Sequence, residues 1–260
     1  MSLTRYAPQI LESFRLVAAR PALAAGIAVP GLALVVGGQA LAGAGGLQPM
    51  GLGLSALAAS GMGYLWQRGL ATGASSSPVQ LVLRFVLWTL ALNVLQGFEL
   101  APTILFSILL GDMPNAELYT RTGVQLFQLL IGGLFLLLPQ LARGTWAELK
   151  STKLQEMVLA GGMAVGLGYV VISLPFTVAS EIARALFADF APQADTSTIA
   201  MVGQSIHALN VFVVSGYFAL VWMELKDLPS RLNPPAEADD AAEPKVRRTT
   251  RVNRLSKAKR

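Results

Sequence analysis

Apolar residues fall in six long runs, and charged or turn-forming residues gather in the gaps between them. The runs cover 21–43, 50–66, 79–101, 124–142, 157–178 and 199–223. A helix needs roughly 20 residues, within a range of about 17–25, to cross a hydrocarbon core. All six runs meet that length, the second only narrowly. Hydrocarbon holds no water to bond the backbone, so helix is the expected state in spite of the many glycines. The predicted fold class is an all-α integral membrane protein: six transmembrane helices arranged as three helical hairpins, with short interfacial amphipathic helices.

Amphipathic stretches flank these runs. Leu3, Tyr6, Ile10, Phe14 and Val17 recur at spacings of three and four, while Arg5, Gln9, Glu12 and Arg15 fall elsewhere around the helix. That spacing predicts a short helix lying in the membrane interface or packed on the bundle as a lead-in. In 177–191, Val178, Ile182, Leu186, Phe187 and Phe190 share one side, just after Pro175, where proline is expected to bend or end the fifth span. Glu99 and Pro102 mark the matching place after the third span, followed by the apolar 104–110. Helices lying on the outer face are expected at both connections; long continuous helices projecting outward and re-entrant half-helices are the alternatives. Three segments result: an N-terminal amphipathic helix over 1–20, a six-span bundle over 21–228, and a charged tail over 229–260.

Charge orients the bundle. Arg5, Arg15 and Arg20 precede the first span; Arg68 and Arg84 flank the gap between the second and third. Arg143, Lys150 and Lys153 follow the fourth span, and Lys226 and Arg231 follow the sixth. The other gaps hold mostly acids: Asp112, Glu117, Glu181, Asp189 and Asp195, against Arg121 and Arg184. Basic loops stay on the cytoplasmic side, so both termini are expected there. Arg84 and Glu99 lie about 22 Å apart along one helix; both are expected at the membrane boundaries, with Arg84 snorkelling to water.

Composition agrees with this class: 53% of residues are hydrophobic, only 13% are charged, and mean hydropathy is +0.55. A soluble domain carries about 25% charged residues. The net charge of +5 comes from the end of the chain, where residues 245–260 hold eight Lys or Arg and no acid. Arg247, Arg248, Arg251 and Arg254 of this run are the expected contacts to anionic lipid or an acidic protein. Nucleic acid is not expected, because no aromatic residue interleaves the bases for stacking. The tail's dense charge and few apolar residues also predict disorder when it is free. Ala40-Leu41-Ala42 resembles a signal-peptidase site; the run before it is expected to be retained as the first span.

Trp146-Ala147-Glu148-Leu149-Lys150 and Trp222-Met223-Glu224-Leu225-Lys226 are offset by 76 residues, as are Gln128 and Gln204. Trp66 closes the second span in the same manner. A hairpin repeat would give this pattern, and so would independent use of tryptophan as an interfacial anchor. Trp66, Trp146 and Trp222 are the expected anchors. Small residues four apart, such as Gly51 and Ser55 or Gly162 and Gly166, predict close helix–helix contact.

Candidate chemistry is sparse. Gln204, His207 and Asn210 form a polar stripe in the sixth span, and Gln125 and Gln128 a shorter one in the fourth. The expected role of Gln204, His207, Asn210 and Gln128 is hydrogen bonding between helices, with a solute or proton path as the alternative. Cysteine is absent and His207 is the only histidine, which excludes disulfides, thiolate sites and multi-histidine metal or haem sites. No His-Glu-x-x-His, Gly-x-Ser-x-Gly or Walker-type loop occurs. Ser205 and His207 point about 200° apart on one helix and cannot form a dyad. No catalytic residue and no cofactor are expected. The function this predicts is a non-enzymatic accessory or scaffold subunit of a membrane complex, in a bacterial inner (plasma) membrane, with other subunits or further copies as partners. The alternative is a small permease or channel-forming protein using the polar stripe.

Overall fold

A computed structural model describes residues 7–44, 46–70, 77–111, 116–143, 152–191 and 196–226. Trp146 and the tail arginines Arg247, Arg248, Arg251 and Arg254 lie outside the described residues. Every element among the described residues is helical: α1 (Ala7–Ala19), α2 (Pro21–Gly43), α3 (Gln48–Gly69), α4 (Pro78–Leu110), α5 (Ala116–Ile131), α6 (Leu137–Arg143), α7 (Thr152–Phe190) and α8 (Thr196–Lys226). A 3₁₀ turn, Gly132–Leu136, joins α5 to α6. Proline in the first turn starts α2, α3 and α4, where its missing N–H has no helical partner to lose. Ser77 caps α4 by accepting from the Gln80 N–H at 3.3 Å. Gly46, at φ +80°, turns the chain between α2 and α3 in a conformation only glycine adopts freely.

Five segments are long and apolar enough to cross a membrane: Pro21–Gly43, Pro78–Leu110, Thr122–Arg143, Leu154–Phe190 and Thr198–Lys226. The expected second span folds as helix α3 but is less apolar than these five, because Gln48, Ser55, Ser60, Gln67 and Arg68 interrupt it. Ser55, Ser60 and Gln67 are buried against protein, since α3 packs on α2, α4, α6 and α8.

The central element is α8, which touches α1, α2, α3, α6, α7 and the 3₁₀ turn. About 67% of its apolar window is buried, against 39% or less in the other four spans. Its valines and aromatics from Val211 to Trp222 supply apolar contact all round the helix, which suits a buried position. Phe212 meets Trp66 with ring centroids 4.7 Å apart, and Phe218 stacks on Phe135 at 5.1 Å. The outer surface is apolar as well, with Val29, Leu57, Val82, Leu130 and Leu159 all exposed. An apolar outer surface around a packed interior suits a protein solvated by lipid tails.

Two connections differ from expectation. Helix α4 continues through Pro102 to Leu110, and α7 through Pro175 to Phe190. The amphipathic segments at 104–110 and 177–191 are therefore extensions of long helices. Each proline removes one helical hydrogen bond, and the helix resumes on its far side. The break in α7 falls instead at Gly162, whose φ of 32° and ψ of −128° leave the helical region. Beside that break, Gly132 and Gly133 let the 3₁₀ turn approach α7. A Cβ on Gly132 would lie 2.2 Å from Gly166 Cα, and one on Gly133 would lie 2.1 Å from Val158 O. Helix α1 packs chiefly on α8, with Ile10, Leu16 and Val17 against the core, and the Gln9 amide donates to the Glu224 carboxylate. Leu11 and Phe14 remain exposed on its other side.

Candidate functional site

Two polar systems occupy the bundle, one at each end. The first is built from arginines and the carboxy-terminal carbonyls of α3 and α6. Arg84 donates to Leu141 O at 3.0 Å and Arg68 to Ala142 O at 3.3 Å. Arg20 donates to Gly69 O at 3.2 Å, and Arg143 to Leu70 O at 3.3 Å. The last carbonyls of a helix lack intrahelical donors, and the helix dipole favours a cation there. Four cations are thus held at one end, two on each helix. Arg84 is only 9% exposed, so it does not snorkel to water but is bonded inside the protein.

Tryptophan and glutamine continue this system inward. Trp88 donates its indole N–H to Gln67 Oε1 at 2.8 Å, and the Gln67 amide donates to Ser215 O at 3.0 Å. Trp222 donates to Gln140 Oε1 at 2.8 Å, with Arg143 and Lys226 over its ring. Trp66 and Trp222 are 0% and 3% exposed, so both indoles are covered by protein. Protein surrounds both because α8 sits at the centre. Gln39, donating to Ser55 Oγ at 3.1 Å, links α2 to α3 in the same way.

The second system is a half-open cavity of about 430 Å³ at the far end, bounded by α4, α5, α7 and α8. It reaches inward to mid-bundle, since Asn210 lies about 24 Å along α8 from Lys226 and about 21 Å from Thr196. Gln125 and Gln128 line it from α5, Tyr169, Ser173 and Thr177 from α7, and Asn210 from α8. The Ser173 hydroxyl oxygen and Asn210 Oδ1 are buried and have no hydrogen-bond partner among the described residues. Among the described residues Glu181 is the one charged residue of the lining, and Arg184 lies 3.6 Å from it. A crevice of about 20 Å³, room for a single water, reaches inward between Trp88, Phe135 and Phe218 and shares Tyr169 and Asn210 with the large cavity. A third cavity of about 360 Å³ lies between α7 and α8, lined in part by Gln204 and His207.

The expected polar residues are therefore divided. Asn210 and Gln128 meet at the large cavity, Gln204 and His207 at the third, and His207 and Asn210 both line the crevice. None of the side chains of Gln204, His207, Asn210 and Gln128 makes a hydrogen bond among the described residues, and Gln204 and His207 are exposed. The interhelical bonding expected of this stripe is done by Gln67, Gln140 and Gln39, near the buried tryptophans and arginines. Glutamine beside tryptophan or arginine at a helix end was the available signal, but the same pattern suits a residue at a membrane boundary. Ser173 and Tyr169 gave none, because single hydroxyls are common in apolar helices. Among the described residues no three His, Asp or Glu side chains gather as a metal site. No family model, curated protein or solved structure matches the chain.

Proposed function

We propose that the chain is a six-span, non-enzymatic subunit of a membrane complex, with α3 as the second span and three hairpins formed by α2 and α3, α4 and α5–α6, and α7 and α8. The exposed side chains of α3 include Leu52, Leu54, Leu57 and Leu65, which supports contact with lipid in spite of its polar inner face. Basic residues at one end, Arg20, Arg68, Arg84, Arg143 and Lys226, support a cytoplasmic placement of that end and of both termini. The basic tail then faces the anionic leaflet of an inner membrane, where each charge near the surface contributes on the order of 1 kcal/mol.

The observation that carries the subunit reading is the length of α4. Its 33 residues extend about 50 Å. Fitting that length within a hydrocarbon core of about 30 Å requires a tilt above about 50°, beyond the usual range of 0–40°. Its far end, with Ile104, Leu105, Ile108 and Leu109 exposed, then stands beyond the hydrocarbon as an apolar surface. The extension of α7 presents Val178, Ile182, Leu186 and Phe190 similarly. Apolar surface outside the hydrocarbon is stabilised by another protein.

A second reading, a small permease, is favoured by the meeting of Gln128 and Asn210 at one cavity. The packed aromatics Trp66, Trp88, Phe135 and Phe218 below that cavity favour the subunit reading over it.

The test is purification of the full chain from its own membranes in mild detergent, as wild type and with Ile108→Ser and Ile182→Ser combined. A discrete complex of fixed composition that the double variant disrupts is expected. A lone monomer in both preparations would remove the subunit reading and leave the permease.

A further inference from the structure

We infer that Arg20, backed by Arg143, forms a binding site for a phosphate group, on the headgroup of an anionic phospholipid or free in solution. The site belongs to a bundle that crosses a membrane, whether or not the chain is a subunit of a complex. Arg20 donates to Gly69 O and Arg143 to Leu70 O, adjacent carbonyls at the end of α3, so the two guanidiniums stand side by side. Leu23 lies against Gly69, where a Cβ would meet its Cδ2 at 2.9 Å, and so fixes the start of α2 beside that helix end. Neither arginine forms an ion pair among the described residues. The helix end supplies roughly half a negative charge, so about one and a half positive charges remain unbalanced.

Arg20 makes the contact. Its side chain is exposed, and of the five N–H donors of a guanidinium one is given to Gly69 O. The remaining donors of such a planar fork match two oxygens of one phosphate. Arg143 is half-buried, its guanidinium 5.5 Å from the Trp222 ring centroid. Its charge is therefore screened less by water and acts on an anion at Arg20 through space. A neutral polar group would bond the guanidinium but leave both charges unbalanced; an anion answers both.

Depth selects phosphate among anions. Arg20 precedes the span Pro21–Gly43 and Arg143 closes the span Thr122–Arg143, so both stand at the edge of the hydrocarbon, beside the headgroup layer. Helix α1, which leads into Arg20, exposes Leu11 and Phe14, as a helix lying in the interface does. One turn inward from Gly69, Leu65 of α3 is exposed, and so is Val29 of α2. Acyl chains along these side chains put a lipid phosphate at the level of Arg20, and basic sites at the ends of spans favour anionic headgroups. A zwitterionic headgroup carries its own ammonium, which already offsets its phosphate.

The test uses the full chain, stripped of lipid in detergent, with thermal unfolding and native mass spectrometry as readouts. One arm adds phosphatidylglycerol, phosphatidylethanolamine or phosphatidylcholine; the other adds inorganic phosphate. Retention of a single phosphatidylglycerol with a raised midpoint, and neither effect from the zwitterionic lipids, identifies a lipid headgroup. A midpoint raised by inorganic phosphate alone identifies a free phosphate. In either arm Arg20→Gln is expected to weaken binding about tenfold, the worth of one charged hydrogen bond. The ligand-free midpoint should barely move at so exposed a position. Arg143→Gln should weaken binding as well, but it also loses the bond to Leu70 O, so the Arg20 variant carries the decision. Replacing Arg247, Arg248, Arg251 and Arg254 together with Gln should leave the retained lipid in place. Absence of binding in both arms would overturn the inference, as would equal retention of the three lipids. So would binding that survives Arg20→Gln unchanged but is lost with the tail variant.

Discussion

Trp222 of α8 donates its indole N–H to Gln140 Oε1 of α6 at 2.8 Å, and both side chains are buried. Trp88 of α4 and Gln67 of α3 repeat the arrangement at the same distance. Two planar donors and two amide acceptors thus tie α3 to α4 and α6 to α8, in a setting where water cannot replace a lost bond. Each pair is fixed by the other bonds of its members: Gln67 also holds Ser215 O, and Trp222 lies under two cations.

Breaking one of these pairs on one side leaves a buried donor unsatisfied. Gln140→Leu is expected to destabilise the bundle by about 1–3 kcal/mol. Trp222→Phe in the same background should then cost less than it does alone, since the indole N–H is already without its acceptor. Unfolding titrations of the four combinations in mixed micelles check this, and strictly additive effects would show that the pair is not coupled.

At the crossing of α7 with the 3₁₀ turn, backbone meets backbone. A side chain at Gly132 cannot rotate away from Gly166 Cα at 2.2 Å, so Gly132→Val should destabilise by about 1–3 kcal/mol or more. A Cβ at Gly26 meets nothing within 4 Å. Gly26→Ala should therefore be neutral or stabilising by up to about 1 kcal/mol, from helix propensity alone. Thermal stability of both in one detergent distinguishes contact glycines from spacer glycines.

Arg84 and Arg20 both donate to helix-terminal carbonyls but differ in burial. Arg84→Ala removes a charged bond in a site closed to water and should destabilise by about 1.5–3 kcal/mol. Arg20 bonds at an exposed position, so Arg20→Ala should remain under about 1 kcal/mol. Chemical unfolding at two salt concentrations gives a second readout: only the Arg20 contribution should shrink as salt rises.

His207 lines a cavity edge with no hydrogen bond among the described residues. His207→Leu is accordingly expected to change stability by no more than about 0.5 kcal/mol. A loss well above that, seen as a lowered unfolding midpoint, would mean that the imidazole bonds another helix after all.

The sequence by itself determined the class of this protein. Long uncharged runs have one stable backbone solution in lipid, so helices at 21–43, 79–101, 124–142, 157–178 and 199–223 follow from composition and length. The grouping of arginines was also legible, because Arg20, Arg68, Arg84 and Arg143 each stand at a run's end. What the sequence did not determine is which side of each helix meets protein. Trp66 and Trp222 are in the interior because α8 is central, and a run that is apolar all round looks the same whether lipid or protein covers it. Nothing in the sequence singles out Gln67 or Gln140; the fold places a tryptophan beside each. Gln128 and Asn210 are 82 positions apart, and only the packing of α5 and α8 around α7 brings them to one cavity. The bend of α7 fell to Gly162 rather than Pro175 for a similar reason. Proline loses one helical bond wherever it stands, whereas Gly162 takes a positive φ that other residues rarely adopt, beside the close approach of Gly132 and Gly133.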